Sequence, residues 1–144
     1  MKDGGDLTIN NCKFYNNGID GNNGRTIYNS SGNLAIDNSI FINNNCDFVI
    51  ESYNGSFSLK NTYLNTNSST LNSITSGSNN TIIENSIIKG AGITFDNGNK
   101  TYKIINSTLL CDLSLGTDEI TLELYNTILP NFNVAKGLTT LNIY

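Results

Sequence analysis

The apolar positions of this chain recur around an asparagine. Six times an Asn is preceded two residues earlier by an aliphatic side chain and followed by a small one, at Asn11, Asn38, Asn61, Asn85, Asn106 and Asn126. Two positions before each stand Ile9, Ile36, Leu59, Ile83, Ile104 and Leu124; four before stand Leu7, Leu34, Phe57, Thr81, Tyr102 and Leu122. Directly after come Cys12, Ser39, Thr62, Ser86, Ser107 and Thr127, and three after come Phe14, Phe41, Leu64, Ile88, Leu109 and Leu129. The Asn positions are 27, 23, 24, 21 and 20 residues apart. Alternation with period two on both sides of a fixed Asn predicts two short strands joined by a bend.

A unit of this length cannot bury its own apolar face, so units must stack. Parallel stacking sets Ile on Ile and Phe on Phe or Leu, and lets the Asn side chains hydrogen-bond along the stack at about 4.8 Å per step. The pattern therefore predicts an all-β chain, a right-handed parallel β-helix of about six coils with an Asn ladder at one bend. A further strand per coil reads Ile27, Val49/Ile50, Leu71/Ile74, Ile93/Phe95, Leu113/Leu115 and Val134. Gly32, Gly55, Gly77, Gly98, Gly116 and Gly137 follow these strands, and are expected to supply positive φ at tight corners. A leucine-rich repeat has a similar length, but no coil shows the 3.6-residue period or the Leu-rich consensus it would need. The alternation runs to the last residues, Leu141-Asn142-Ile143-Tyr144, which reads as one β-helix domain over 1–144, excised with an added Met from a longer repeat protein.

Composition narrows the chemistry. The 144 residues include 27 Asn, 18 Ile, 15 Thr and 14 Ser, with no His and no Trp. Eight Lys and Arg against twelve Asp and Glu give a net charge of −4, which does not build the phosphate-neutralising patch of a nucleic-acid binder. The apolar runs are too short to insert in a membrane as a helix. Without His the commonest general base and metal ligand is missing, and no cofactor or metal is expected.

The segment Ile27-Tyr28-Asn29-Ser30-Ser31-Gly32-Asn33-Leu34-Ala35-Ile36-Asp37-Asn38-Ser39-Ile40-Phe41-Ile42-Asn43-Asn44 closely resembles the repeat of the adhesin-like surface proteins of methanogenic archaea and the related polymorphic outer-membrane proteins of bacteria. Leu7-Thr8-Ile9-Asn10-Asn11-Cys12-Lys13-Phe14-Tyr15-Asn16-Asn17 is similar to the same consensus. The likeness is close over residues 7–45 and fades to the bare pattern by residue 80. Where the family has Gly-Gly-Ala before its Ile-Tyr-Asn, this chain has Gly24-Arg25-Thr26. The resemblance implies an extracellular β-helical stalk or adhesion domain. It carries over no catalytic residue.

The outward columns and the turns hold the candidate chemistry. Just before each Asn the outward column includes Asp37, Lys60 and Glu84, a surface charge ladder between coils, and Lys103 stacks on Glu123 in the next outward column. Asp112, Asp118 and Glu119 form the densest carboxylate group and could approach Ca²⁺, but no EF-hand or Gly-Gly-x-Gly-x-Asp spacing is present. Asp47 and Glu51 flank Phe48-Val49-Ile50 without the facing geometry a glycosidase needs. Cys12, Cys46 and Cys111 fall in positions too far apart in register to pair. Asn29, Asn54, Asn67, Asn79, Asn99 and Asn106 head Asn-x-Ser/Thr triplets, a number this composition produces by chance.

If the position three after the Asn points inward, the positions two and four after point outward. They bring Ile40, Ile42, Tyr63, Ile87, Leu110 and Ile128 onto one flat face, a large apolar stripe for a monomer. Three arrangements are compatible with it: an interface with a partner or another copy, a cover made by the longer loops of the first coils, or a register displaced by one residue. Tyr28 and Tyr53 are expected to face outward on another side, where a Tyr ring can stack on a sugar. The expected function is a non-enzymatic cell-surface adhesion or stalk module. Its partners would be a surface glycan, a protein or further copies of itself, side by side or head to tail. The runner-up is a polysaccharide lyase, a glycosidase or a phage-tail-type β-helix. An ice-binding solenoid would require a regular outward Thr-x-Thr array, which Thr139-Thr140 and scattered single Thr do not supply.

Overall fold

The computed structural model describes residues 4–17, 24–44, 46–66, 72–96, 99–116, 119–129, 131–134 and 138–144. Leu71, Gly98, Gly137, Asp118 and the sequon residue Asn67 lie outside them. The first coil comprises β1 (Leu7–Asn10), β2 (Lys13–Tyr15) and β3 (Arg25–Asn29). The second repeats it in β4 (Leu34–Asp37), β5 (Ile40–Ile42) and β6 (Phe48–Tyr53), and the third in β7 (Ser56–Lys60), β8 (Tyr63–Asn65) and β9 (Asn72–Gly77). The fourth has β10 (Asn80–Glu84), β11 (Ile87–Lys89) and β12 (Ile93–Phe95). The fifth has β13 (Lys100–Ile105), β14 (Thr108–Leu110) and β15 (Asp112–Leu115). In the sixth, β16 (Ile120–Tyr125) and β17 (Asn131–Val134) enclose a single bridge from Ile128 to Thr108, and β18 (Leu138–Ile143) lays one more strand on β16.

These strands form three parallel sheets, the walls of a β-solenoid with five full coils and a sixth that is partly formed. A first sheet holds seven strands, β1-β4-β7-β10-β13-β16-β18. A second holds five, from β2 to β14, and a third holds six, from β3 to β17. Like residues stack on like, as the columns predict: Ile36 lies beside Ile9 and Leu59, and Phe41 between Phe14 and Leu64. The Phe14 and Phe41 rings stack at 4.6 Å. In the third sheet Ile27, Ile50, Ile74, Ile93, Leu113 and Phe132 form one column. Val49 drops out of that ladder, and Ile50 takes the paired position.

The bend between the first and second sheets shows why Asn stands there. All six Asn have positive φ, between 45° and 54°, a left-handed conformation that Asn enters more easily than other side chains with a Cβ. Their amides keep the backbone ladder unbroken through the bend: the Asn11 N–H donates to Asp37 O at 3.2 Å, and the Asn106 N–H to Tyr125 O at 2.8 Å. Their side chains are exposed, and the Asn ladder runs in sections. Asn38 Nδ2 donates to Asn11 Oδ1, Asn85 Nδ2 to Asn61 Oδ1 at 3.4 Å and Asn126 Nδ2 to Asn106 Oδ1 at 3.1 Å. Asn61 instead donates to Asp37 Oδ1 at 2.8 Å.

The continuous side-chain ladder lies one residue further on, inside the wall. The Ser39 hydroxyl accepts the Cys12 N–H at 3.2 Å and donates to Asp37 O at 2.8 Å. Thr62, Ser86 and Ser107 repeat the arrangement, each accepting the amide of the coil before and donating to the carbonyl two residues back. Each buried hydroxyl is thus satisfied twice and joins two coils. The small residue after the Asn is there for its hydroxyl as well as its size.

The glycine corners differ from the sequence expectation. Gly32 and Gly55 do adopt positive φ, of 85° and 56°, but Gly77 and Gly116 stay out of the left-handed region. Asn54 and Asn99 take positive φ at corners assigned to glycine alone. Asn tolerates this conformation, so glycine is not required wherever the chain turns.

Candidate interaction face

The second sheet is only three residues wide, and its outward side is mostly apolar. Register places Lys13, Ile40, Tyr63, Ile87 and Thr108 in one continuous column, extended by the Ile128 bridge. The neighbouring column runs Tyr15, Ile42, Asn65, Lys89 and Leu110. Phe41, Leu64, Ile88 and Leu109 between them are buried, so the sequence register holds. Ile87, Leu110 and Ile128 are 46%, 48% and 63% exposed, while Ile40, Ile42 and Tyr63 are half-buried by their strand neighbours. Tyr15, outside the six residues singled out from sequence, belongs with them at 45% exposure.

Charge sets this face apart. Among the described residues its strands carry Lys13 and Lys89 and no carboxylate. The first sheet carries Asp37, Glu84 and Glu123, and the third carries Glu51 and Asp112. Beside the Asn bend a groove opens, lined by Asn11, Lys13, Asn38, Ile40, Asn61 and Tyr63, with Cys12 and Ser39 at its floor.

The expected charge ladder occupies the first sheet. Lys60 and Glu84 pair at 2.8 Å, and Lys103 and Glu123 at 2.8 Å. The Glu123 carboxyl is held below its ordinary value, chiefly by its hydrogen bond from Lys103, and the Lys103 ammonium is raised by the same bond. Asp37 turns to Asn61 and completes no ion pair with Lys60.

Tyr28 and Tyr53 do lie on another side, the third sheet, but both are engaged. Arg25 sits over the Tyr28 ring at 4.8 Å and the Phe48 ring at 5.5 Å, and pairs with buried Glu51. Tyr53 donates to the other Glu51 oxygen at 2.9 Å, and burial, first, raises the pKa of its phenol. Glu51 is therefore committed to a structural clasp. Asp47 is not part of that clasp. Asp112 accepts from Asn131 at 3.0 Å, Glu119 is exposed, and no group of three Asp, Glu, His or Cys gathers among the described residues.

All three cysteines are free thiols. Cys12 sits in the Ser/Thr column and donates to Asn10 O at 3.3 Å. Burial, with the Asp112 carboxylate second, pushes the Cys111 thiol up to about 12. Asn29, the first residue of a sequon, is completely buried.

What sequence reasoning missed is the Arg25–Glu51 clasp and the inner polar ties. Asn44 is buried, accepts from Asn17 Nδ2 at 2.9 Å and donates to Phe14 O at 2.9 Å. The Asn16-Asn17 and Asn43-Asn44 doublets were the available signal. No family model, curated protein or solved structure matches this chain.

Proposed function

We propose that this solenoid is a non-enzymatic adhesion or stalk module of a cell surface, working through the outward side of its second sheet. The observation that carries the reading is that apolar side with no carboxylate, on a chain of net charge −4. The resemblance of residues 7–45 to adhesin-like repeats supports it. Six levels at about 4.8 Å and three residues at about 3.3 Å make a strip roughly 24 Å long and 10 Å wide. That is about a third of the 800 Å² that each partner buries in a standard protein interface. One module therefore holds a protein surface weakly, and a row of modules holds it by summation.

Size-exclusion chromatography with light scattering, across protein concentration, tests the reading on the parent and Ile87→Lys. The parent is expected to self-associate weakly at high concentration, and the substitution to abolish this with an unchanged circular dichroism spectrum. If the two proteins behave alike in assembly and in ligand binding, the reading falls.

A further inference from the structure

The cross-section of the second sheet's outer side specifies what fits it. Down the middle of the first three coils run Ile40, Ile42, Tyr15 and Tyr63. Asn11, Asn38 and Asn61 line one edge, at the bend. Asn16 and Asn43 line the other, both exposed and both at φ 54°. The result is an apolar strip between two amide rails.

The first rail is not saturated. Because Asn61 donates to Asp37 instead of Asn38, Asn38 Oδ1 accepts no hydrogen bond, and Asn11 Nδ2 donates none, among the described residues. The Tyr63 hydroxyl and the Lys13 ammonium are also without partners there. One groove thus gathers a free amide donor, a free amide acceptor, a phenol and an ammonium beside Ile40 and the Tyr63 ring.

We propose that the first three coils of this face bind a neutral, linear, β-linked glycan laid along the solenoid axis. The inference rests on the adhesion reading and names its ligand class. A β-linked pyranose chain is a ribbon with apolar ring faces and hydroxyls along both edges. Its faces suit the Ile and Tyr strip, since Tyr offers a flat apolar body with a polar tip. Its edge hydroxyls both donate and accept, as carboxamides do. The rail of Asn11, Asn38 and Asn61 steps once per coil, at about 4.8 Å, a step comparable to that between successive rings, and Asn16 and Asn43 repeat it on the other edge in the first two coils. Alternate rings of such a ribbon are flipped, and carboxamides, which both donate and accept, serve either edge. A protein partner would need a wider footprint, and over coils one to three the strip offers a polyanion a single ammonium, Lys13, among carboxamides and a phenol.

The probe is cellohexaose, with maltohexaose, whose α-linkages curl the chain out of a ribbon, as the mismatched partner. Dilute, monomeric protein is titrated and its amide ¹H–¹⁵N correlations followed. Saturable shifts confined to coils one to three are expected with cellohexaose. Affinity should fall at least about tenfold in Tyr63→Ser and in Asn38→Gly, which keeps the left-handed backbone. Lys103→Gln, on the first sheet, should bind like the parent. Urea midpoints confirm folding, and Tyr15→Ser reads the same strip if Tyr63→Ser does not fold. No saturable shift with cellohexaose, an equal response to maltohexaose, or unchanged affinity in the folded strip variants overturns the proposal. Light scattering on concentrated parent and Ile87→Lys separates the two readings. Assembly that still responds to Ile87→Lys while no glycan binds removes this proposal and leaves the adhesion reading; indifference in both removes both.

Discussion

Two of the corners of this solenoid that pass through positive φ reach it differently. At the bend between the first and second sheets, φ lies between 45° and 54° at six Asn whose side chains stand in solvent. At the corner that enters the first sheet, Gly32 and Gly55 have φ of 85° and 56°, and the coils nearly touch. A Cβ on Gly55 would lie 2.1 Å from Gly32 O, and one on Gly32 would lie 2.1 Å from Gly5 O. Backbone conformation alone therefore does not select glycine here. An asparagine in place of Gly55 would satisfy φ as Asn61 does; what excludes a side chain is the neighbouring coil's carbonyl.

The sharpest way to break this contrast is Gly55→Ala. Left-handed strain of about 1–2 kcal/mol and overpacking of about 1–3 kcal/mol put its cost at about 2–5 kcal/mol, measured by urea denaturation. A loss under about 1 kcal/mol would mean that the corner opens freely and the contrast is false.

Within the Asn bend, the contrast predicts that the inner hydroxyl matters more than the outer amide. Ser86→Ala removes the acceptor for the buried Thr62 N–H and the donor to Glu84 O, and should cost about 1–3 kcal/mol. Asn85→Gly, which retains positive φ and loses only an exposed side chain, should cost less than about 0.5 kcal/mol. The reverse order in paired urea titrations would make the exposed amide ladder the true fastening.

The smallest effect concerns the half-buried Lys103–Glu123 pair that leads into the bend. Glu123 is held below its ordinary value by Lys103, so the contribution of the pair is present above the unfolded carboxyl pKa of about 4.3 and is lost as pH falls through the lower folded value. Lys103 is raised, so its side of the contribution is complete below about 10.4 and fades as pH rises through the folded value. Parent and Glu123→Gln should therefore differ slightly in thermal midpoint near neutral pH and converge in acid, and salt should shrink the gap. A gap that widens in acid would reverse the assigned sign.

The columns of the solenoid were legible because stacking repeats them. Ile9 to Leu124 had to face one core, and a one-residue slip would have turned every one of them outward. The apolar face followed by parity alone. Less visible was anything that depends on which atom meets which. Ser39, Thr62, Ser86 and Ser107 read as small residues, since spacing cannot show that a hydroxyl meets the amide of the coil before. The Arg25–Glu51 clasp joins residues on adjacent coils whose loops differ in length, so no fixed interval announces it. Tyr28 and Tyr53 read as free rings for the same reason, and the clasp holds both.

The hydroxyl column also determines what each end of the solenoid leaves behind. Its amide-to-hydroxyl bonds run from Cys12 to Ser39 at one end and from Ser86 to Ser107 towards the other. In the last coil the sense reverses: the Thr127 hydroxyl donates back to Ile104 O at 3.1 Å. Peeling that coil away therefore bares a carbonyl, and peeling the first bares the Ser39 hydroxyl, which keeps its own bond to Asp37 O. In this column both ends come away leaving an acceptor for water, like a seam hemmed at each edge.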